Sequence, residues 1–244
     1  MAKIRVTIWN EFDHEINNER AKANYPEGIH ECLAKALKAD DLEIATAWLE
    51  KDEEHGLSQE VLANTDVLLW WGHGRHGDVR DDVAARVAAR VQQGMGFIAL
   101  HSAHHSKPFR LLMGSPCDVR WRENDDKCVV WNVNAGHPIT QGVPLYFFLE
   151  KEEMYGEYFS IPTPDELIFI SWFEGGNAFR SGCTFTRGIG KIFYFQPGHE
   201  MYPSYHNKDV QKVIANAIRW ARPAPERDFQ AGAKMAPVVE KAGK

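Results

Sequence analysis

The chain has 244 residues and a formal net charge of −6, from 28 Lys and Arg against 34 Asp and Glu. This acidic balance, without a basic stripe, argues against nucleic acid as a partner. No stretch approaches the ~20 apolar residues of a membrane span. The four cysteines are scattered without a Cys-x-x-Cys pair, which is typical of reduced thiols. We therefore expect a soluble cytoplasmic protein.

The first half of the chain alternates apolar strands with amphipathic helices. Strands are predicted at 4–9, 42–48, 67–71 and 97–100, and helices at 27–39, 58–63 and 79–93. The polar segment 10–26 is longer than a usual βα loop, which favours a functional role. This alternation predicts a doubly wound, mostly parallel sheet in an α/β fold.

The second half is less regular. Strands are predicted at 127–133 and 167–172, a β-hairpin at 183–195 around Gly188 and Gly190, and a final helix at 209–221. From Arg222 the composition shifts to Pro, Ala, Lys and Glu. We therefore expect one domain over 1–222 and a tail over 223–244 that is extended, poorly ordered or docked on a partner subunit.

Three histidines directly follow the predicted strand 97–100: His101, His104 and His105, accompanied by Ser102 and Ser106. Open α/β sheets bind ligands at the carboxyl ends of their strands, which favours a functional site here. His101 and His105 are four residues apart, so on an α-helix they would share one face and one divalent metal ion. The alternative is one structural histidine and two exposed ones.

The segment Trp71-Gly-His-Gly-Arg-His-Gly77 follows another predicted strand. Its glycines either permit close approach to a ligand or make a tight polar turn. Dinucleotide binding is not favoured, because the acidic residue that would bind a ribose is not evident. We expect His73, with Arg75 and His76, to face the cleft. The same rim carries Trp9, Asn10, Glu11 and His14, which end the first strand.

His199 and Glu200 follow the last predicted strand. They suit a general base with its orienting carboxylate, or two metal ligands. Glu153 and Tyr155 point the same way if their segment is extended, and then reach one site. Otherwise the segment 152–157 is a solvated charged face. A tryptophan at a strand end, such as Trp71, is a candidate platform for a sugar ring.

The chain resembles the trehalose-utilisation (ThuA-like) family over residues 3–222. The motifs are Trp70-Trp-Gly-His73, Leu100-His-Ser-Ala-His-His-Ser-Lys-Pro-Phe109, Gly136-His-Pro-Ile139, Glu152-Glu-Met-Tyr155 and Pro197-Gly-His-Glu200. The family is a branch of the class I glutamine amidotransferase-like superfamily. The resemblance implies a flavodoxin-like sheet with its site at a turn after a central strand. It also implies uptake or catabolism of disaccharides such as trehalose, through 3-oxo-sugar intermediates.

In working amidotransferases that turn carries a catalytic cysteine, and His101 takes its position here. This argues against glutamine hydrolysis, because imidazole is a poor substitute for an activated thiolate. Three functions stay open. One is a lyase, hydrolase or isomerase in which a base removes the proton next to the ketone of a 3-oxo-glycoside. The second is a non-catalytic sugar-binding or regulatory protein. The third is a serine hydrolase, although Gly-x-Ser-x-Gly is absent.

The residues predicted to be catalytic are His101, His105, His199 and Glu153. The residues predicted to bind substrate are Trp71, His73, Ser102, His104, Tyr155 and Glu200. A divalent metal, zinc before manganese or iron, is predicted on His101, His105 and His199. The serine hydrolase would use Ser102 or Ser106 with His199 and Glu200. The predicted partners are a small-molecule sugar and, from the aromatic segment 146–149 and the tail, further copies of the chain.

Overall fold

Nine strands of residues 2–224, the part of the chain that the computed structural model describes, form one sheet. The strands are β1 (Ile4–Asn10), β2 (Leu42–Trp48), β3 (Val67–Trp71), β4 (Gly96–Leu100), β5 (Arg120–Asn132), β6 (Tyr146–Gly156), β7 (Glu166–Phe173), β8 (Ala178–Arg187) and β9 (Gly190–Phe195). The α-helices are α1 (His14–Asn17), α2 (Glu19–Asn24), α3 (Ile29–Ala36), α4 (Gln59–Ala63), α5 (Asp81–Gln92), α6 (Lys107–Met113) and α7 (Lys208–Ala221). Short 3₁₀-helices lie at His76–Asp78, His101–His105, Pro138–Thr140 and Ser204–His206.

The strand order is β2-β1-β3-β4-β9-β8-β7-β5-β6. The predicted α/β class is confirmed, but the prediction of a mostly parallel sheet is wrong. Only β2, β1, β3, β4 and β9 run parallel, and every pairing from β9 to β6 is antiparallel. The physical reason is that the links among the strands of the second half carry no crossover α-helix, which parallel neighbours need.

The parallel half follows the sequence pattern closely. β3 and β4 are buried along their whole length, as their continuous apolar runs predict. The Ser58 hydroxyl caps α4 by accepting a hydrogen bond from the backbone N–H of Val61 at 3.2 Å. The predicted hairpin is confirmed as β8 and β9, which turn at Gly188 with a positive φ of 61°.

Two segments depart from the sequence expectation. The polar segment 10–26 holds the short helices α1 and α2. β6 was not predicted as a strand, because it includes the charged run 150–153. In its first part, Tyr146 and Phe148 are half exposed whereas the residues that alternate with them are buried. The extended backbone of β6 satisfies the condition under which Glu153 and Tyr155 reach one site.

The last described helix, α7, ends at Ala221. The tail predicted over 223–244 lies outside the described residues, except for residues 223 and 224. Within 2–224, no helix is both long and apolar enough to cross a membrane.

The parallel strands end together. Asn10, Trp71, Leu100 and Phe195 form one row across β1, β3, β4 and β9. The chain segments that leave this row therefore emerge side by side at one edge of the sheet, which is where such folds place their sites.

Candidate active site

His101 lies at the turn between β4 and the following 3₁₀-helix, as the resemblance implied. Its φ is 52°, a left-handed conformation that is uncommon for residues other than glycine and clusters at functional sites. Its side chain is fully buried. Nδ1 donates to the carbonyl of Gln196 at 2.9 Å, and Nε2 lies 3.0 Å from Glu153 Oε2. Both ring nitrogens of His101 are therefore occupied.

The pKa shifts of His101 and Glu153 both favour the charged form of the pair. Burial lowers the pKa of His101, but Glu153 outweighs burial and the net pKa is raised. Burial raises the pKa of Glu153, but His101 together with the charges of His199 and His73 outweighs burial, and the net pKa is lowered. The pair thus places an imidazolium beneath the cleft, with a carboxylate to balance it.

His105 does not join His101, contrary to the prediction that they share a face. The segment His101–His105 is a 3₁₀-helix, with about three residues per turn, so residues four apart point in different directions. His105 turns outward and its Nε2 lies 3.2 Å from Asp118 Oδ1. His104, three residues after His101, is buried, and its Nδ1 donates to the carbonyl of Cys117 at 2.7 Å.

His73 forms a dyad with Glu200, in which the Glu200 side chain is buried and the His73 side chain is 30% exposed. Its Nδ1 donates to Glu200 Oε1 at 2.9 Å, which leaves Nε2 as the unprotonated nitrogen of the neutral ring. Burial lowers the pKa of His73, but the hydrogen bond and charge of Glu200 outweigh it and the net pKa is raised. Burial raises the pKa of Glu200, but His73 and neighbouring histidines bring it down to about 2. This arrangement suits a general base with its orienting carboxylate.

Glu11 fixes the loop that carries His73. Its buried carboxylate accepts three backbone hydrogen bonds, each 2.9 Å long, from His73, Gly74 and Arg75. Three convergent N–H donors from one glycine-containing turn hold the carboxylate much as a backbone nest holds an anion. Arg75 itself points away from the cleft and forms ion pairs with Glu50 and Asp78.

Glu152 fixes the loop that carries His199. It is fully buried and accepts from the backbone N–H of Gly198 at 2.9 Å and of His199 at 3.2 Å. The Ser204 hydroxyl donates to Glu152 as well, at 2.7 Å. The adjacent glutamates of β6 thus have different tasks: Glu152 holds backbone, and Glu153 faces His101.

His199 is the opposite tautomer of His73. The backbone N–H of Met201 donates to His199 Nδ1 at 3.1 Å, so a neutral ring carries its proton on Nε2. Nε2 lies 3.7 Å from Glu153 Oε2. Burial and the charge of His101 lower the pKa of His199 to about 4, so it is neutral at pH 7. The rings of His73 and His199 meet edge to face with centroids 5.0 Å apart.

These groups open into a cleft of about 250 Å³, near the lower end of the about 300–1,000 Å³ typical of small-molecule sites. It is lined by His73, Ser102, His104, His105, Val119, Trp121, Glu123, Glu153, Tyr155 and His199. Four of the six predicted substrate-binding residues are therefore at the cleft wall. The other two, Trp71 and Glu200, are buried behind it.

Trp71 was predicted to bind substrate, but it is buried and contacts the loop that carries His199. Its indole N–H donates to the carbonyl of Gly198 at 3.0 Å. The serines are also engaged: Ser102 shares a hydrogen bond with the Tyr155 hydroxyl at 2.8 Å, and Ser106 caps α6. Among the described residues neither serine is hydrogen-bonded to a histidine, so the geometry of a serine hydrolase is not assembled.

The predicted metal set of His101, His105 and His199 is not brought together, because His101 is saturated and His105 turns outward. Within residues 2–224, the closest clusters of potential ligand atoms are His14–His73–Glu200 and His73–Glu153–His199. A metal-bound imidazole normally donates its second nitrogen to an acceptor. His199 cannot do this through Nδ1, which already accepts from Met201. The set His73–Glu153–His199 therefore does not fit zinc.

The sequence pattern placed Glu11 on the rim of the sheet but gave it no task, and it gave Glu152, Trp121 and Glu123 no task in the site. Glu11 directly follows β1, as the rim requires. The task of Glu152 depends on a loop some 46 positions away, as its bond to Gly198 requires. A local sequence pattern cannot predict such a contact.

The fold and the site together define an α/β protein with histidine–carboxylate pairs at the carboxyl edge of its parallel strands. The chain belongs to the ThuA family: the family profile, described as trehalose utilisation, matches residues 5–221. The resemblance drawn from the sequence is thus confirmed. No curated protein gives a significant match.

Solved structures share the fold at low identity. A ThuA-like protein from Parabacteroides merdae ATCC 43184 is 14% identical, with a TM-score of 0.67 over 92% of this chain and 93% of that one. A ThuA-like protein from Bacteroides uniformis ATCC 8492 is 15% identical, with a TM-score of 0.65 over 90% and 92%. A cytoplasmic protein from Salmonella typhimurium LT2 is 13% identical, with a TM-score of 0.60 over 90% and 100%. These likenesses support the fold alone.

Proposed function

We propose that the chain is an acid–base enzyme of sugar utilisation that acts on trehalose or a related disaccharide in its 3-oxo form. Membership of the ThuA family supports the sugar class. The observation that carries the proposal is the complementary pair at the cleft: His73 offers an acceptor nitrogen, and His199 offers an N–H. A base beside a neutral donor is the arrangement that enolisation of a ketone requires.

The chemical step follows from these two rings. The ketone of a 3-oxo-glycoside acidifies the hydrogen on the neighbouring carbon. His73 Nε2 takes that proton, the C–H electron pair forms a C=C bond, and negative charge moves to the carbonyl oxygen. The N–H of His199 donates a hydrogen bond to this oxygen. In an isomerisation the ketone re-forms and the carbon takes the proton back from His73. In an elimination the ketone re-forms, the enolate electron pair becomes a C=C bond to the anomeric carbon, the bond from that carbon to the glycosidic oxygen breaks, and His73 gives its proton to the departing oxygen.

His101 and Glu153 support this step without transferring the proton. Glu153 Oε2 lies 3.0 Å from His101 Nε2 and 3.7 Å from His199 Nε2, so the His101–Glu153 pair orients the N–H of His199 that serves as the donor. The role of general base, predicted for His101, His105 or His199, is assigned to His73 in this proposal. No step is routed through a metal.

The relation to class I amidotransferases forms part of the proposal. The parallel strands follow the order β2-β1-β3-β4-β9, which is that of a flavodoxin-like sheet. His101 stands at the turn where an amidotransferase has its cysteine. Burial raises the pKa of Cys32 to about 11 and the pKa of Cys117 and Cys183 to about 12. Thiols with such pKa values are poor nucleophiles, so we do not propose glutamine hydrolysis.

The experiment is hydrogen–deuterium exchange on 3-oxo-trehalose in D₂O, followed by NMR at the carbons next to the ketone. The native protein should accelerate exchange, and His73→Gln should reduce the accelerated rate about 10²- to 10⁴-fold. His206→Gln, which removes an exposed histidine outside the cleft, is the matched control and should behave as the native protein. Sugar binding without accelerated exchange would favour the non-catalytic sugar-binding alternative.

A further inference from the structure

Trp121 is the most exposed tryptophan among the large exposed apolar side chains of residues 2–224, at 66%. It stands at the wall of the cleft, beside Glu123. We infer that Trp121 and Glu123 form the sugar-binding wall of the site, where the indole takes the apolar face of a pyranose and the carboxylate takes its hydroxyls. The inference rests on the proposed function for the identity of the ligand.

The strand pairing puts these side chains on one surface. Trp121 on β5 is directly opposite Tyr155 on β6, so their side chains lie on the same face of the antiparallel ribbon. The pairing of β5 with β6 is irregular between Arg122 and Asp126, and Glu123 in this stretch lines the same cleft as Trp121 and Tyr155. Arg122 between them turns away and binds Asp126 at 2.6 Å. Trp121, Glu123 and Tyr155 therefore belong to one continuous wall.

The chemistry of the wall matches a sugar ring. The C–H faces of a pyranose are apolar and pack on flat aromatic rings, whereas its hydroxyls need acceptors at the edge of the contact. Trp121 supplies an uncovered indole, and Glu123 supplies a carboxylate two residues away. Burial and the nearby charge of Glu153 raise the pKa of Glu123, consistent with a carboxylate that faces the enclosed cleft.

The charge of the wall restricts the sugar further. Among the described residues that line the cleft none is Lys or Arg, while Glu123 and Glu153 are both acidic. A phosphate would meet two carboxylates and no cationic side chain of the kind that binds it. The wall therefore selects an uncharged sugar over its phosphorylated form.

The test is calorimetric titration of trehalose and trehalose 6-phosphate into the native protein and four variants. Trp121→Ala should weaken trehalose binding about tenfold, and Trp121→Phe, which keeps an aromatic ring, should recover most of the affinity. Glu123→Gln should weaken trehalose binding and should reduce the ratio of the affinity for trehalose to the affinity for trehalose 6-phosphate. Trp172→Ala removes another half-exposed tryptophan, on β7 outside the cleft, and should leave binding unchanged.

The two proposals fail in different ways. If Trp121→Ala binds trehalose as tightly as the native protein, or the 6-phosphate binds as tightly as trehalose, the assignment of the wall is overturned. If the native protein binds trehalose through Trp121 but neither accelerates hydrogen exchange on 3-oxo-trehalose nor converts it, the sugar-binding wall is supported and the proposed enzymatic function is refuted. In the active protein, Trp121→Ala should raise KM while kcat stays within a few-fold of the native value. A loss confined to kcat would also contradict the wall.

Discussion

His101 Nε2 and Glu153 Oε2 lie 3.0 Å apart in a region where both side chains are almost completely excluded from solvent. The two residues come from different parts of the fold, the turn after β4 and the strand β6. Burial disfavours the charge on each of them, and their mutual attraction restores it. Such a pair is stable only while both partners are present, because either charge alone would be buried without compensation.

The first prediction concerns the stability of this pair. Glu153→Gln leaves the His101 imidazolium without its counter-charge and should lower the free energy of unfolding by about 3–5 kcal/mol. The double variant His101→Gln/Glu153→Gln removes both charges and should recover part of that loss. Urea unfolding at neutral pH measures both. If the double variant is no more stable than Glu153→Gln, the two residues do not act as an ion pair.

The second prediction concerns pH. His73 acts as a base only when unprotonated, and its pKa is raised above the usual 6.5. The value of kcat/KM should therefore rise with pH through the raised pKa of His73. In Glu200→Gln the carboxylate no longer offsets the effect of burial on the pKa of His73. The rise of kcat/KM, called the acid limb, should therefore move to lower pH. The maximal rate should fall about 10- to 100-fold, because the ring is less firmly oriented. If the acid limb of kcat/KM does not move in Glu200→Gln, His73 is not the general base.

The third prediction concerns the loop that carries His73. Glu11→Gln replaces one acceptor oxygen by an amide NH₂, which faces backbone N–H donors that it cannot satisfy. The free energy of unfolding should fall by about 1–3 kcal/mol. The value of kcat should fall in protein that is still folded, because His73 is no longer held in place. Glu150→Gln, an exposed glutamate on β6, is the control and should be neutral in both assays. Equal behaviour of the two variants would refute the assigned role of Glu11.

The fourth prediction concerns metal. Because His199 Nδ1 accepts a backbone hydrogen bond, the histidine cluster should retain no zinc after purification and dialysis. Elemental analysis measures the metal content, and turnover of 3-oxo-trehalose should be unchanged by chelator. Stoichiometric zinc that is lost together with activity in chelator, and restored with it on zinc addition, would establish a metal site and displace the all-imidazole account.

Local pattern was sufficient for the parallel half of the fold. β3 has the predicted bounds because a strand that is buried on both faces consists of one continuous apolar run. β2 also has the predicted bounds, although it is the edge strand and is only partly buried. β6 could not be predicted this way. Its charged run contains Glu152, which is buried only because loops distant in sequence bring N–H donors to it. The sheet is mixed because the links among the strands of the second half carry no crossover helix.

The candidate site was predictable in location but not in detail. The strand ends and the His-rich turn identified His101, His73 and His199. The conformation of that turn decided the rest, because a 3₁₀-helix separates His105 from His101 whereas an α-helix would have joined them. The tautomers depend on the group that meets each ring, the Glu200 carboxylate at His73 and the backbone N–H of Met201 at His199, and no local sequence pattern predicts these contacts.

The central claim is that His73 and His199 present opposite tautomers to the cleft, and ¹⁵N NMR of the imidazole nitrogens tests it most directly. His73 should titrate above the usual pKa of histidine, and above that pKa it should show a protonated Nδ1 and an unprotonated Nε2. His199 should show a protonated Nε2 and an unprotonated Nδ1, and should stay neutral down to a pH of about 4. A spectrum in which both neutral rings, recorded above the pKa of His73, carry their proton on the same nitrogen would contradict the account.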